Sequence, residues 1–351
     1  MSEGHTRSTL DQTSVASTIA GLPGWPYGPV HAERVVRIGT EHGLSGAAYR
    51  VIARTAAGER VAFVVKEERA TGVERALAFH TAMGERLVGS IPTCYGSAVD
   101  TARGTGSLYL EDIAPARQGD VLIDPGENAA KAAIRTIARV HAVSWRSRVA
   151  DHDPIPPRWQ AEAWEHERWR DRLTRARSRF PEILSEAVVG RLRDLPARVA
   201  VAARTLAAGP ASWIHGDAHL DNILWRESGD AVLLDWAGAV IGPPAVDAAR
   251  FLVEGPPGVA SNQVGTAALI QAYQAQLQEG GVPASDVALV PRAIELAAHP
   301  LGQSIVGWAG RPEDRPLEPR TARLRENALR GVVAWLDREP GGLFTERWAG
   351  P

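Results

Sequence analysis

The sequence predicts an α+β protein of two lobes, a small strand-rich lobe followed by a larger, mostly helical one. Three observations carry this expectation. Residues 34–111 alternate short Val-, Phe- and Tyr-containing runs with Gly-bearing turns. From Asp112 onward helical spacing dominates, interrupted by one strand–loop–strand stretch at 212–236. The 351 residues are enough for two lobes around a sizeable core, but not for a longer string of domains.

Each element has its own signal. Residues 1–30 are rich in Ser, Thr, Gly and Pro with weak periodicity, and are expected as a loosely ordered or docking arm. Residues 34–39 read as a strand, 41–46 as a tight turn, 47–55 as a second strand, 56–59 as another turn, and 60–66 as a third strand ending in Lys66. Helical spacing over 72–87 places Leu77, Met83 and Leu87 together. Two short strands, 94–99 and 107–111, flank the turn-rich 100–106. The strongest helix spans 128–145, with Ile134, Ile137, Val140 and Val143 along one stripe. Residues 158–208 predict further helices, broken near Pro181 and Pro196. Helical patterns resume to about Asp337, before a Pro/Gly-rich tail, and no internal repeat is seen. One small lobe with a single main helix, joined to a larger helical lobe, follows from this order.

Composition narrows the partners. A net charge of -2 gives no bulk reason to expect nucleic acid or a membrane surface. The single cysteine, Cys94, has no internal disulfide partner, which suits a reducing compartment. The polar start of the chain is unlike a signal peptide and no long apolar span is present, so a cytoplasmic protein is expected. Of the 39 basic residues only Lys66 and Lys131 are lysines. A lysine in so arginine-rich a chain points to chemistry that a guanidinium does not supply.

The densest chemical signal is Trp213-Ile214-His215-Gly216-Asp217-Ala218-His219-Leu220-Asp221-Asn222, followed by Leu233-Leu234-Asp235-Trp236. Phosphoryl transfer asks a protein for positioning and charge neutralisation. One carboxylate must orient the attacking hydroxyl and take its proton, while a carboxylate and a neutral oxygen hold Mg²⁺ against the phosphates. Asp217, Asp235 and Asn222 are residues of those types, two on one loop and one at the end of the next apolar strand. A transition-metal site at His215 and His219 is disfavoured by the hard oxygen groups around them.

His-Gly-Asp-x-His-x-x-Asn followed by Leu-Asp-Trp resembles the aminoglycoside phosphotransferase and choline kinase branch of the protein-kinase-like superfamily, over roughly residues 34–300. The resemblance implies the bilobal kinase-like fold, with Asp217 as catalytic base, Asn222 and Asp235 as Mg²⁺ ligands, and His215 and His219 shaping the loop. It implies that the turn at Gly242-Pro243-Pro244, with Asp247, braces that loop. It implies a nucleotide-binding part over 1–111, arm included, and a catalytic and acceptor-binding part over 112–351. Lys66 then sits where the family's phosphate-binding lysine lies, and Glu74 is its expected carboxylate partner, with Glu67 and Glu68 as competitors. Ser45 and Gly46 fall where a phosphate-covering turn belongs, and backbone groups of Glu111 and Ile113 where the base would pair. The donor is ATP or GTP, which backbone pairing does not distinguish.

The acceptor is expected to be a hydroxylated metabolite or antibiotic, in a monomeric or homodimeric enzyme that includes resistance and self-resistance among its roles. Residues 158–179 carry seven arginines against four acids, together with Trp159, Trp164 and Trp169. That composition argues against a strongly cationic acceptor if the segment lines the site, while core packing of the tryptophans is the plainer reading. Two alternatives remain, a catalytically silent kinase-like binding protein and a Ser/Thr protein kinase. The full set Lys66, Asp217, Asn222 and Asp235 speaks against the first. The short 236–242 stretch after Asp235 leaves no room for an activation loop and speaks against the second.

Overall fold

The computed structural model describes residues 12–39, 46–148, 151, 158–255, 263–313 and 316–338. The first part is built on an antiparallel five-stranded sheet, in the order β1-β2-β3-β5-β4. Its strands are β1 (Val30–Ile38), β2 (Ala47–Thr55), β3 (Arg60–Arg69), β4 (Cys94–Asp100) and β5 (Thr105–Glu111). Strand β1 begins four residues before the stretch read from sequence, because Val30–Ala32 continue the pairing with Ala53–Thr55. Strand alternation decides what each face does. Val61, Phe63 and Val65 of β3 are buried on one side, whereas Val64 and Lys66 turn to the opposite side and line a cleft.

The buried side of the sheet is covered by the N-terminal arm. Helix α1 (Gln12–Ala20) places Val15 and Ile19 in one cluster with Trp25, Val51, Phe63 and Tyr109. Trp25 meets Phe63 edge to face at 5.3 Å between ring centroids. Over its described part, then, the arm docks. Burial of Ile19 or Trp25 is worth about 2 kcal/mol each by apolar area.

Helix α2 (Ala70–Met83) crosses from the sheet to the larger core, burying Val73, Ala76, Phe79, His80 and Met83. Its last predicted turn is a separate 3₁₀ turn, Gly84–Leu87. Helix α3 (Glu127–Val143) buries Ile134, Ile137 and Val140 as the stripe predicted, and packs on the helix Gln263–Glu279. Helices α4 (His166–Arg179), α5 (Glu186–Leu192) and α6 (Leu195–Ala208) follow. Residues 158–165 are not helical, because the Trp159 N–H is donated to Ile241 O at 2.9 Å. The breaks expected near Pro181 and Pro196 fall between these helices, and Pro196 itself lies in the first turn of α6, where its missing N–H has no helical partner. The long helices Val290–Ala309 and Pro319–Arg338 pack against each other and against α7 (Ala245–Val253).

The single strand–loop–strand expected over 212–236 resolves into two small ladders. Strands β7 (Ser212–Ile214) and β10 (Val240–Gly242) pair with each other. Strands β6 (Ala116–Gln118), β8 (Ile223–Arg226) and β9 (Ala231–Leu233) form the other, in that order. Runs of three or four residues carry too little alternation to be read singly, and β6 and β10 find partners far away in sequence. The loop 215–222 is thus pinned at one end to each ladder.

Candidate functional site

The 215–222 loop is shaped before any side chain faces a ligand. Gly216 has φ +78°, and a Cβ there would lie 2.7 Å from Gly238 O, so only glycine fits. Asp247 of α7, buried at 1% exposure, accepts from the N–H groups of His215 at 2.6 Å and Gly216 at 2.9 Å. His141 of α3 holds the same carboxylate at 3.1 Å and is itself tied to the Tyr273 hydroxyl at 2.6 Å. Burial works to raise the Asp247 pKa; the partners His141 and His215 outweigh it and hold the carboxyl below its ordinary value. The brace is therefore an anion, supplied from outside the loop.

Two cavities meet at the loop. One, of about 360 Å³, lies between the sheet and the helical part and is lined by Ala48, Val64, Lys66, Leu110, Ile113, Asn222 and Asp235 among others. The second, of about 260 Å³, is lined by Asp217, His219, Arg250 and Glu254, and by Ile305, Trp308 and Leu324 from the C-terminal helices. Asp221, Asn222 and Asp235 line both, while Asp217 opens only to the second. A larger open concavity of about 860 Å³ beside Trp225 and the start of α3 holds none of these residues.

The residues singled out from sequence divide as follows. Lys66 and Asp235 form an ion pair, and Asp235 occupies the left-handed region at φ 61° with its carboxylate turned to the Ala237 N–H. Aspartate is among the few side chains that tolerate this conformation. Asn222 donates its Nδ2–H to Asp217 O at 2.9 Å, and the Leu234 N–H is donated to Asn222 O at 2.8 Å, so Asn222 ties the two segments together. Glu74 is exposed on α2 and is not the carboxylate that meets Lys66. On a helix, Ala76 and His80 point into the cleft, and Glu74 lies about 200° round from Ala76. Glu67 and Glu68 fare no better: Glu67 bonds the Tyr49 hydroxyl and Glu68 accepts the Arg69 N–H.

Gly46 lines the cleft with φ +77°, and a Cβ there would meet Glu67 O at 2.6 Å; Ser45 lies outside the described residues. Glu111 and Ile113 both line the cleft. The Glu111 N–H is already donated to Thr93 O. Asp112 between them is held by Arg50 at 2.8 Å.

Sequence reasoning missed Arg250 and Glu254. Arg250 Nη1 lies 3.0 Å from Asp217 Oδ1 and 2.8 Å from Glu254 Oε1. On the other oxygen of Asp217, His219 Nε2 stands at 3.2 Å. Burial would raise the Asp217 carboxyl, but Arg250, then His219 and His215, hold it well below the usual carboxylate range. Burial lowers the His219 imidazole and Asp217 raises it, with a net upward shift. A signal existed: on the apolar helix α7, Asp247 and Arg250 are three residues apart and share a face.

Asn222 and Asp235 are the candidate metal holders. They present a carboxylate and, on Asn222, an amide oxygen at the junction of the cavities, which suits a hard cation that draws its remaining ligands from phosphates and water. Among the described residues no group of three His, Cys, Asp or Glu is placed as a metal cluster.

None of residues 158–179 lines the second cavity. Trp169 is buried, Trp164 packs on Gly307, and Trp159 packs on Gly242, so the three tryptophans serve the core. The aromatic wall is Trp308 instead, partly exposed, with the Arg325 guanidinium 5.0 Å from its ring centroid.

Comparisons with known proteins agree with this geometry. The model of a family described as phosphotransferase enzyme family matches residues 38–287. Among solved structures, a candidate aminoglycoside phosphotransferase from Ralstonia eutropha JMP134 superimposes with a TM-score of 0.56 at 17% identity, covering 93% of this chain and 97% of its own. An aminoglycoside phosphotransferase from Alicyclobacillus acidocaldarius gives 0.51 at 12% identity, covering 87% and 90%. An amicoumacin kinase bound to AMP-PNP and Ca²⁺ gives 0.50 at 14% identity, covering 94% of each chain. At such identities the likeness shows the fold, which is kinase-like. No curated protein matches the chain at a significant level.

Proposed function

The chain belongs to the phosphotransferase enzyme family, and on that premise we propose that it moves the γ-phosphoryl group of ATP onto a hydroxyl of a small, uncharged acceptor. The observation that carries the reading is the meeting of two cavities at Asn222 and Asp235, with Asp217 facing only one of them. A nucleotide in the cleft between residues 1–111 and 112–351 would pair its base with the Glu111 carbonyl and the Ile113 N–H. Lys66 would face its phosphates, and the backbone at Gly46 would cover them. Mg²⁺, held by Asn222 and Asp235, would supply charge neutralisation at the phosphate oxygens.

The transfer then needs little from side chains. The acceptor oxygen forms a bond to the γ-phosphorus as the bond to the β-phosphate oxygen breaks, and the diphosphate leaves with that electron pair. The hydroxyl proton passes to the Asp217 carboxylate, which the Asn222 and His219 contacts keep oriented. In a loose transition state the hydroxyl gives up its proton late, so the orientation that Asp217 gains from contacts on both oxygens matters more than basicity.

Charge balance supports a neutral acceptor. The four carboxylates lining the second cavity face three cations: Asp217 and Glu254 share Arg250, Asp221 meets Arg320, and Asp235 meets Lys66. One carboxylate in excess is a weak draw for a polycation. Ile305, Trp308, Leu324 and Ala328 offer an apolar wall for a sugar or aromatic ring face, with the polar Ser304 and Asn327 on the same two helices. Antibiotics with such a face fall within this class, which is where a resistance role would lie. The test is nucleotide consumption with ATP and GTP against matched panels of neutral glycosides, nucleosides and aromatic alcohols beside aminoglycosides. ATP-dependent phosphorylation confined to the neutral panel is expected, and turnover of aminoglycosides alone would overturn the acceptor assignment.

A further inference from the structure

Arg250 enters the reading above only as a counter-charge to Asp217 and Glu254. Its placement is chemically odd for a residue that merely helps a base. A guanidinium 3.0 Å from Asp217 Oδ1 makes that carboxylate a poorer proton acceptor. An anchor for α7 would not need it either, since Asp247 already ties the helix to the loop through two backbone N–H groups. The Arg250 side chain is 21% exposed, so part of it stays open to the cavity.

Three observations point to what arrives. Both carboxylates lean on one terminal nitrogen, Nη1, whereas a guanidinium carries five N–H donors, so the rest of the fork is not committed to them. Arg250 lines the cavity that Asp217 opens to, and that cavity joins the nucleotide cleft at Asn222 and Asp235. Lys66, the cation of the nucleotide side, is engaged with Asp235, and the residue two positions after Asp217 is His219, not a lysine. Among the described residues lining the second cavity, Arg250 is the one lysine or arginine.

We propose that Arg250 is a catalytic residue that contacts the equatorial oxygens of the phosphoryl group during transfer, with Glu254 holding the guanidinium ready beside Asp217. The inference rests on the phosphotransferase reading. No proton or bond changes hands at Arg250: the phosphorus–oxygen bond to the diphosphate breaks and that to the acceptor forms, as above, while the guanidinium shares the charge spread over the three oxygens. A planar fork matches those oxygens in a way that an ammonium does not. Glu254, one helical turn on at 2.8 Å, keeps the side chain from collapsing wholly onto Asp217 when no phosphoryl group is present.

The test compares Arg250→Gln and Arg250→Lys in the full chain with Mg²⁺. It reads three quantities: affinity for AMP-PNP, affinity for ADP with aluminium fluoride as a mimic of the phosphoryl in flight, and kcat for nucleotide consumption. Arg250→Gln should bind AMP-PNP within about threefold of wild type. It should lose on the order of 10²-fold or more in fluoroaluminate-complex affinity and in kcat, the scale of an arginine that serves only the transition state. Arg250→Lys should recover part of both losses. Should the Gln variant not fold, the Lys variant is read alone, and a selective loss of about tenfold in the fluoroaluminate complex is expected. Equal weakening of both ligands, or of neither, overturns the assignment, as does a kcat loss that merely tracks a fall in Tm. A wild-type chain that binds neither ligand would instead overturn the phosphotransferase reading itself.

Discussion

At the scale of single residues, the site is a set of charges whose positions matter more than their strengths. Asp217 is about half exposed (49%) and held on both oxygens, so its geometry is set before a hydroxyl arrives. Asp217→Asn keeps the shape and removes the proton acceptor. Turnover should fall by about 10²–10⁴-fold with AMP-PNP binding retained, and an unchanged kcat would sink the role. Lys66 tests the argument from lysine scarcity. Lys66→Arg keeps the charge but must fit a wider fork between Asp235 and the nucleotide phosphates, and a misplacement of about 1 Å costs on the order of 10²-fold. Lys131→Arg is the control: Lys131 makes only an i,i+4 ion pair with Glu127 on exposed α3 surface, so its effect should stay within about 0.5 kcal/mol of stability. Equal kcat/KM in the two variants would mean that arginine-rich composition, and no chemical need, explains the rarity of lysine.

At the scale of elements, the site is made by how strands and helices present alternate residues. β3 sends Phe63 and Val65 into the core under α1 and Lys66 into the cleft, because side chains alternate across a strand. The same geometric logic on α2 turns Ala76 and His80 inward and Glu74 outward. Phe79 on α2 stacks on Trp236 at 3.6 Å, which couples that helix to the residue after Asp235. Helix α7 carries the brace: Asp247→Asn would replace an acceptor with an amide that sets a donor against the N–H of His215 or Gly216. Leaving a buried donor unpaired costs about 1–3 kcal/mol, to be measured by urea denaturation, with a matching loss of turnover. Wild-type stability in that variant would show that the loop holds its shape without the anion.

At the scale of the whole molecule, buried histidines tie stability to pH. Burial pushes His80 down to about 4, and burial followed by Arg198 and Arg292 pushes His299 down to about 3. Both folded-state values lie below the ordinary histidine value, so the unfolded chain takes up protons first as the solution is acidified. Stability from these groups is complete above about pH 6.5 and is lost as pH falls toward 4, at about 1.4 kcal/mol per pH unit for each group. Denaturation midpoints at pH 7.5 and 5 should show the decline, and His80→Phe should flatten it; an identical slope in the variant would remove His80 from the account. What the sequence by itself determined is the local and the strongly periodic: the five strands, the α2 and α3 stripes, and the loop motif with its two aspartates and asparagine. Those are legible because short-range spacing dictates backbone geometry and metal-type ligand sets. Tertiary structure alone decided the rest. It turned Glu74 away from Lys66, assigned the Arg158–Arg179 tryptophans to packing, set Trp308 in the wall of the second cavity, and brought Arg250 to Asp217. Each of these depends on which face of a helix meets which neighbour across the fold, and a linear sequence records the face but not the neighbour.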